Sequence, residues 1–424
     1  MAKTNCIDMR RTLSKVVSKR FLEKSAVESG FIVRDRKIDA VAFFWTLVLG
    51  FGVGSAKSFA SLRRCYERET GESLVPSAFY DRFTPALVAW LECVLTQVLS
   101  HAAEPARALR GRLSAFQDVL LMDGTVLRLH DQLEKCFAAC RTNHTKAAAK
   151  LTVVMSVVGR GPRRLELTSE RRHDSKLHGV GEWVRGRLLL FDLGYYSYLM
   201  FSTIGRYGGF FVTRLKDNAN PVIVDEGPLC GQSLQDVLAS IRRPVLDTRV
   251  QVRFKRKNGS IGHAIHRVVA IRNDETRRYH LYITNVAPEM LDAQDIARVY
   301  AARWEIEILF RQLKSQFRLD QFPSSKKEAV RALIMASIIT LVVSRTFWMD
   351  VQRRNRHLAD RIPHERFAKL FEVLSQPFLT LLIAGRRSAA RRQNDLMRFL
   401  LKEMIDPNRT RSGGLIGELE GVFA

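Results

Sequence analysis

Between Ala293 and Phe317 the sequence reads AQDIARVYAARWEIEILFRQLKSQF, with a phenol, a guanidinium, a carboxylate and an ammonium at Tyr300, Arg303, Glu307 and Lys314. Read as one helix at about 100° per residue, these four groups share an arc roughly 60° wide. Ala302, Ile306, Leu309, Phe310, Leu313 and Phe317 fill the adjoining arc. The polar stripe therefore borders a buried one, which fixes its side chains and partly desolvates the carboxylate. Glu305 points elsewhere, so Glu307 is the more useful acid. Arg303 can fork onto a phosphate, and Lys314 can act as a point charge. Arg311 joins them as a candidate for anion contact. The plainer alternative is an amphipathic helix with a charged shoulder. Against it, the spacing Tyr-x2-Arg-x3-Glu-x6-Lys arises by chance on the order of a few times per thousand chains of this length.

The elements around this helix read as α/β. Residues 1–112 are helical in pattern, with Lys37–Leu49 an apolar helix ended by the glycines of GFGVG. A helix, a polar turn at Thr70-Gly71-Glu72 and a short helix near Pro76 follow. They fit a helix-turn-helix, and more commonly a bundle corner. From Ala115 the pattern turns to strands. FQDVLLMDGTVLRL has the continuous apolar core of a strand covered on both faces. KLTVVMSVVG and RRLELTSE follow, joined by a Gly161-Pro162 turn. A helix across GEWVRGRLL then precedes LLLFD and GYYSYLM, and residues 208–287 hold the strands GGFFVTRLK, RVQVRFKRK, HRVVAIRN and YHLYITNV. Helix returns at Leu291 and continues to the end.

The 68 basic and 43 acidic residues among 424 leave a net charge of +25. Such an excess repels itself and points to a polyanionic partner, with nucleic acid the best fit. Arg10, Arg11, Lys15, Lys19 and Arg20 form a basic head; Arg386, Arg387, Arg391 and Arg392 form a basic tail helix. Both are candidate DNA contacts. The first residues lack the apolar core of a signal peptide. The apolar stretches Ala40–Gly54 and Ala332–Val343 are too short to span a bilayer and read as core helices, so no membrane partner is expected. Six cysteines make no disulfide framework in a chain this long, and Cys136 and Cys140 lack the further ligands of a zinc site. A reducing, cytoplasmic location is expected.

The helix pattern resembles the YREK signature of the bacterial insertion-sequence DDE transposases of the IS-four type, on Tyr300, Arg303, Glu307 and Lys314. The resemblance extends to Asp123 in LLMDGT, as the first acid of a catalytic triad, and Asp192 in LLLFDLGYYSY, as the second. The second acid follows the first by 69 residues, and Glu307 follows by a further 115. It covers roughly residues 115–345 and implies an RNase H-like catalytic core over 113–207 and 288–350. A β-strand insertion over 208–287, a helical DNA-binding region over 1–112 and a helical C-terminal region over 351–424 complete the organisation. Asp123, Asp192 and Glu307 would hold two Mg²⁺ ions, with Mn²⁺ as a substitute, because phosphodiester transfer needs an activated nucleophile and a stabilised leaving oxygen.

Asp118 precedes the apolar run, and Asp174, His173 and His178 sit in a polar loop, so all four weigh less as ligands. The implied activity is cut-and-paste transposition: nicking at inverted-repeat ends, a hairpin intermediate and strand transfer into target DNA. The implied partners are double-stranded DNA and a second copy of the chain in a synaptic dimer, in a bacterial cytoplasm at the nucleoid. The alternatives are a catalytically silent DNA-binding protein of the same descent and a stand-alone nuclease. Some relatives stack a flipped base on a Trp of the insertion, but no Trp lies in 208–287 here. Tyr279 and Tyr282 are the aromatics nearest before Tyr300; three apart in a strand, they face opposite ways. Tyr279, next to Arg277 and Arg278, is the expected stacking residue.

The charge yields a measurable expectation. If about eight phosphates are neutralised, log K for duplex DNA falls against log salt with a slope near −7. A binding titration at several salt concentrations checks it, and a slope shallower than about −2 would assign the charge another purpose.

Overall fold

A computed structural model describes residues 9–408, apart from 34–37, 55, 57, 103–108, 141–144, 160, 173–178, 257, 318, 320–321 and 384–385. His173, Asp174 and His178 therefore lie outside the described residues, as do the side chains of Arg10 and of the four tail arginines.

The head consists of α1 (Met9–Val16), α2 (Lys19–Glu28), α3 (Ala40–Thr46), α4 (Phe59–Thr70), α5 (Pro76–Tyr80) and α6 (Pro85–Ala102). Asp39 caps α3 by accepting from the Ala42 N–H, and the helix continues as a π turn over Leu47–Phe51. Gly71, at φ +75°, ends α4 in the left-handed conformation that favours glycine. Phe79 and Phe83 behind it pack on Phe43, which makes the α4–α5 corner part of a bundle core.

The sheet comprises β1 (Asp118–Leu129), β2 (Ala147–Ser156), β3 (Gly161–Ser169) and β4 (Arg187–Phe191), then, after α7 (Tyr198–Arg206), β5 (Phe210–Arg214) and β6 (Val222–Ile223). Beyond α8 (Leu234–Ser240) come β7 (Val245–Lys255), β8 (Ile261–Arg272) and β9 (Tyr279–Thr284). Four predicted details change. The turn between β2 and β3 falls at 157–159, while Gly161 and Pro162 open β3, an edge strand where proline is tolerated. GEWVRGRLL forms only a 3-10 turn at Glu182–Val184, because Gly186 at φ +65° ends it and Arg187 starts β4. GYYSYLM carries the start of α7 rather than a strand, capped by Ser197. Residues 208–287 add the helix α8 to their strands.

All nine strands form one sheet in the order β3-β2-β1-β4-β5-β9-β8-β7-β6. β1, β4 and β5 are parallel, and β2 is antiparallel to β1. The strands of 208–287 thus continue the sheet: β9 joins β5, and β8 and β7 follow.

One face of the sheet is covered by α9 (Ala293–Ala301), α10 (Trp304–Ser315), α11 (Lys327–Arg354), α12 (His364–Ile383) and the head, in a single core. α13 (Arg386–Met404) closes on α12. The other face is packed by α7 and α8 in a second core. α11 is long and apolar enough to cross a membrane, but 83% of its apolar window is buried among its neighbours, as in a core helix.

A close crossing lies between α11 and the π turn. Thr340 Oγ donates to the Val48 carbonyl at 2.8 Å, and a methyl at Gly52 would come within 1.9 Å of that hydroxyl. Gly52→Ala should therefore cost about 1–3 kcal/mol, read as a lower midpoint in thermal or urea unfolding. Adding Thr340→Ala should return only part of it, because the Val48 oxygen still lies 2.7 Å from the new methyl.

Candidate active site

The parallel strands bring two acids together. β1 and β4 are in register up to Met122↔Phe191. One further step along each chain makes Asp123 and Asp192 lateral neighbours. Both side chains emerge on the face that carries Leu121 and Leu190, since alternate residues share a face. β5 pairs with β4 up to Leu190↔Val212, so continuing that register sets Arg214 beside Asp192. The ends of parallel strands are where open α/β sheets bind ligands.

Local bonds fix each carboxylate. The Gly124 N–H donates to Asp123 Oδ1 at 2.7 Å, and a side chain on Gly124 would crowd the Tyr195 hydroxyl. Asp192 caps the 3-10 turn Leu193–Tyr195 by accepting from the Gly194 N–H at 2.9 Å.

The helix that carries the third acid differs from its prediction. The segment is not one helix but α9 and α10, joined at Ala302 and Arg303. There the N–H groups reach back three residues instead of four, Ala302 to Val299 and Arg303 to Tyr300, which tightens the chain into a corner. Arg303, Glu307 and Lys314 all follow that corner and keep their common stripe. α10 crosses β1, and Lys314 Nζ donates to the Val126 carbonyl at 3.2 Å.

Arg303 joins the acids. Its guanidinium lies 2.7 Å from Glu307 Oε1 and 3.7 Å from Asp123 Oδ2, and it approaches the Tyr300 ring at 5.9 Å. Burial pushes the Asp123 carboxyl up to about 6; the Gly124 N–H and Arg303 oppose the shift, while Asp192 and Glu307 add to it. Burial also raises the Tyr300 phenol, which stays neutral despite Arg303 and Arg214 nearby.

Of the predicted residues, Asp123, Asp192, Glu307, Tyr300 and Arg303 are brought together, while Lys314 reaches β1 at Val126, three residues beyond Asp123. Arg311 is exposed on α10. Tyr279 is not at the site. It faces the second core and donates its hydroxyl to the Arg243 carbonyl at 2.7 Å. Tyr282 instead pairs with Arg214 in register and meets Tyr300 ring to ring at 5.4 Å. The opposite facing of the two tyrosines holds, and Tyr282 rather than Tyr279 stands beside Tyr300. Arg214 was missed; only the strand register singles it out. Asp118 is a structural acid, 4% exposed, accepting from Ser156 Oγ at 2.6 Å and the Val158 N–H at 3.1 Å.

Among the described residues no three His, Cys, Asp or Glu side chains close on a common point as metal ligands would. The donor set nevertheless fits a hard divalent cation: oxygen ligands only, with Asp123 raised chiefly by its burial and further by Asp192 and Glu307.

Residues 114–343 match the family described as Transposase DDE domain. The chain is 22% identical over 396 residues to the transposase for insertion sequence element IS231F of Bacillus thuringiensis subsp. israelensis, covering 82% of each. It is 20% identical over 378 residues to the transposase for insertion sequence element IS1151 of Clostridium perfringens, covering 79% of this chain and 80% of that one. Among solved structures, the piggyBac transposase in a synaptic complex with hairpin DNA is similar in fold, with a TM-score of 0.50 at 10% identity, over 94% of this chain and 86% of that one. The order β3-β2-β1-β4-β5 is accordingly an RNase H-like core.

A folded-state carboxyl near 6, against 3.8 when unfolded, is a cost above pH 6 that fades as both states protonate below about 4. Asp123→Asn in EDTA should therefore stabilise the protein at pH 7.5 by on the order of 1–3 kcal/mol, with the gain shrinking between pH 6 and 4. Thermal unfolding across that range measures it.

Proposed function

The chain belongs to the transposase DDE domain family, and on that premise we propose that Asp123, Asp192 and Glu307 are its catalytic triad, cutting DNA at insertion-sequence ends and joining it to a target. That the chain is a DNA transposase follows from its family and its insertion-sequence relatives. The triad is our reading, and the single observation that carries it is the register that makes Asp123 and Asp192 lateral neighbours under Arg303 and Glu307.

The three carboxylates would hold two Mg²⁺ ions, or Mn²⁺ in their place. When bound, the metal supplies Lewis acidity to the attacking and leaving oxygens. The chain's own residues do the rest. Arg303, forked and half-buried, turns from the acids to a phosphate oxygen of the DNA. Tyr300, neutral, packs beside that phosphate, and Tyr282 backs it from the sheet. Lys314 holds α10 to β1 and adds positive charge about two turns beyond Glu307, with Arg311 exposed to DNA beside it. In the first reaction water displaces the 3′ oxygen of one strand at the element end, leaving a 3′-OH. In the joining reaction that 3′-OH attacks a target phosphodiester, so one ester bond forms as another breaks. We read the second strand as cut through a hairpin.

The organisation we propose assigns residues 1–112 to DNA binding, 113–207 and 288–350 to the catalytic core, 208–287 to the insertion and 351–424 to a helical C-terminal region. Two copies would hold two ends in the synaptic complex, in the bacterial cytoplasm at the nucleoid. Three acids and a full YREK signature count against a catalytically silent DNA-binding protein.

Asp123→Ala, Asp192→Ala and Glu307→Ala should each abolish Mg²⁺-dependent cleavage of a duplex carrying the terminal inverted repeat, with binding largely retained. Glu305→Ala should stay active. A gel assay of cleavage decides, and full cutting by Asp192→Ala would overturn the triad.

A further inference from the structure

The hairpin of β7 and β8 runs past the rest of the sheet. β6 bonds β7 only at Val250 and Gln251, and β9 bonds β8 only from Arg267 onward. Among the described residues, Val252–Lys255 and Ile261–Ala264 pair with each other alone. A two-stranded ribbon is marginal unless something closes a face. Here Phe254 lies across Gly262, so closely that a Cβ there would come within 2.8 Å of the ring. The opposite face is open. It presents Gln251, Arg253 and Lys255 on β7 and Ile261, His263 and Ile265 on β8, the two isoleucines more than half exposed.

Two features give that face a direction and a charge. Alternation puts Arg253 and Lys255 on the same side of the sheet as Asp247, and Asp247 is linked through Val269, Tyr282 and Arg214 to the row of the acids. From Thr248 to Arg272 the sequence contains no Asp or Glu. A second copy of the same face would therefore be repelled, whereas a polyanion would be attracted.

We propose that the open face of this ribbon is a second contact for double-stranded DNA, gripping phosphates about one helical turn from the cut. The inference rests on the transposase reading above, for which DNA is the substrate. Lys255 lies eight residues along β7 from Asp247, and β7 lies four strands from β4, which sets it roughly 30 Å from Asp192. One turn of B-DNA is about 34–36 Å, and a two-stranded ribbon fits its major groove. Arg253 and Lys255 supply the charge, while Ile261 and Ile265 meet the apolar sugar and methyl surface between phosphates.

The test is equilibrium binding of the full chain to a duplex of about 40 bp carrying the terminal repeat, across a range of salt. Arg353→Glu/Lys369→Glu serves as the comparison for Arg253→Glu/Lys255→Glu, since it removes the same charge from exposed positions on helices elsewhere. The ribbon variant should bind at least about tenfold more weakly at low salt, with a slope shallower by about two. The control should follow the wild type. The difference should vanish on a duplex ending within about six base pairs of the cut on each side, too short to reach the ribbon. The milder Arg253→Gln/Lys255→Gln, with an unchanged thermal midpoint, should move the slope the same way and separates lost contact from misfolding.

An unchanged slope, or an equal loss in the control, overturns the proposal. So does loss of self-association in Ile261→Ser/Ile265→Ser with the DNA slope of the charge variants intact, which would give the face to a second copy. A wild-type chain that binds with the steep slope but never cuts would sink the transposase chemistry and leave the ribbon contact standing.

Discussion

The burial of Asp123 beside the like charges of Asp192 and Glu307 is the constraint around which the site is arranged. Two of these carboxylates stand side by side on adjacent parallel strands, on a face otherwise lined by Leu121, Leu190 and Val212. Taking negative charges out of water without a counter-ion is costly. Arg303 answers part of that cost by pairing with Glu307 and approaching Asp123, and the high Asp123 carboxyl shows that the answer is incomplete. What remains is an unbalanced set of hard oxygen donors.

Such a set is useful only if it is held still, and α10 is braced on both sides. Toward the sheet, Lys314 bonds the Val126 carbonyl. Away from it, Gln312 Oε1 accepts from Arg345 Nη2 of α11 and from the His364 ring of α12, each at 3.1 Å. Burial and the charge of Arg345 hold His364 well below its usual range, so the ring is neutral and its proton sits on the nitrogen facing Gln312. The helices beyond the core thus bear on the acid they never touch. The close seat of Thr340 against the π turn ties the head to the same spine.

Much of this was legible in the residues. Helix periodicity separated Glu307 from Glu305, and the buried run before Asp123 read as a strand because both its faces are apolar. The opposite facing of Tyr279 and Tyr282 followed from their spacing. What failed was local and had local causes. Gly186 stopped a predicted helix, Pro162 opened a strand instead of a turn, and the corner at Ala302 divided a helix whose periodicity looked unbroken. Dihedrals that stay helical while hydrogen bonds shift by one residue leave no trace in an apolar pattern.

By itself, then, the sequence determined the residue types of the site, their stripe on α10, the +25 charge and the α/β class, since these depend on composition and on the period of one element. Tertiary structure alone decided which side chains meet. The neighbours of Asp192 are Asp123 and Arg214 because β4 pairs with β1 on one side and β5 on the other, and Tyr282 rather than Tyr279 stands beside Tyr300 because β9 sets it in register with Arg214 of β5. It also decided that β7 and β8 outrun their neighbours. Register joins residues far apart in the chain, and a slip of one position would turn every side chain to the opposite face; no single segment contains that information.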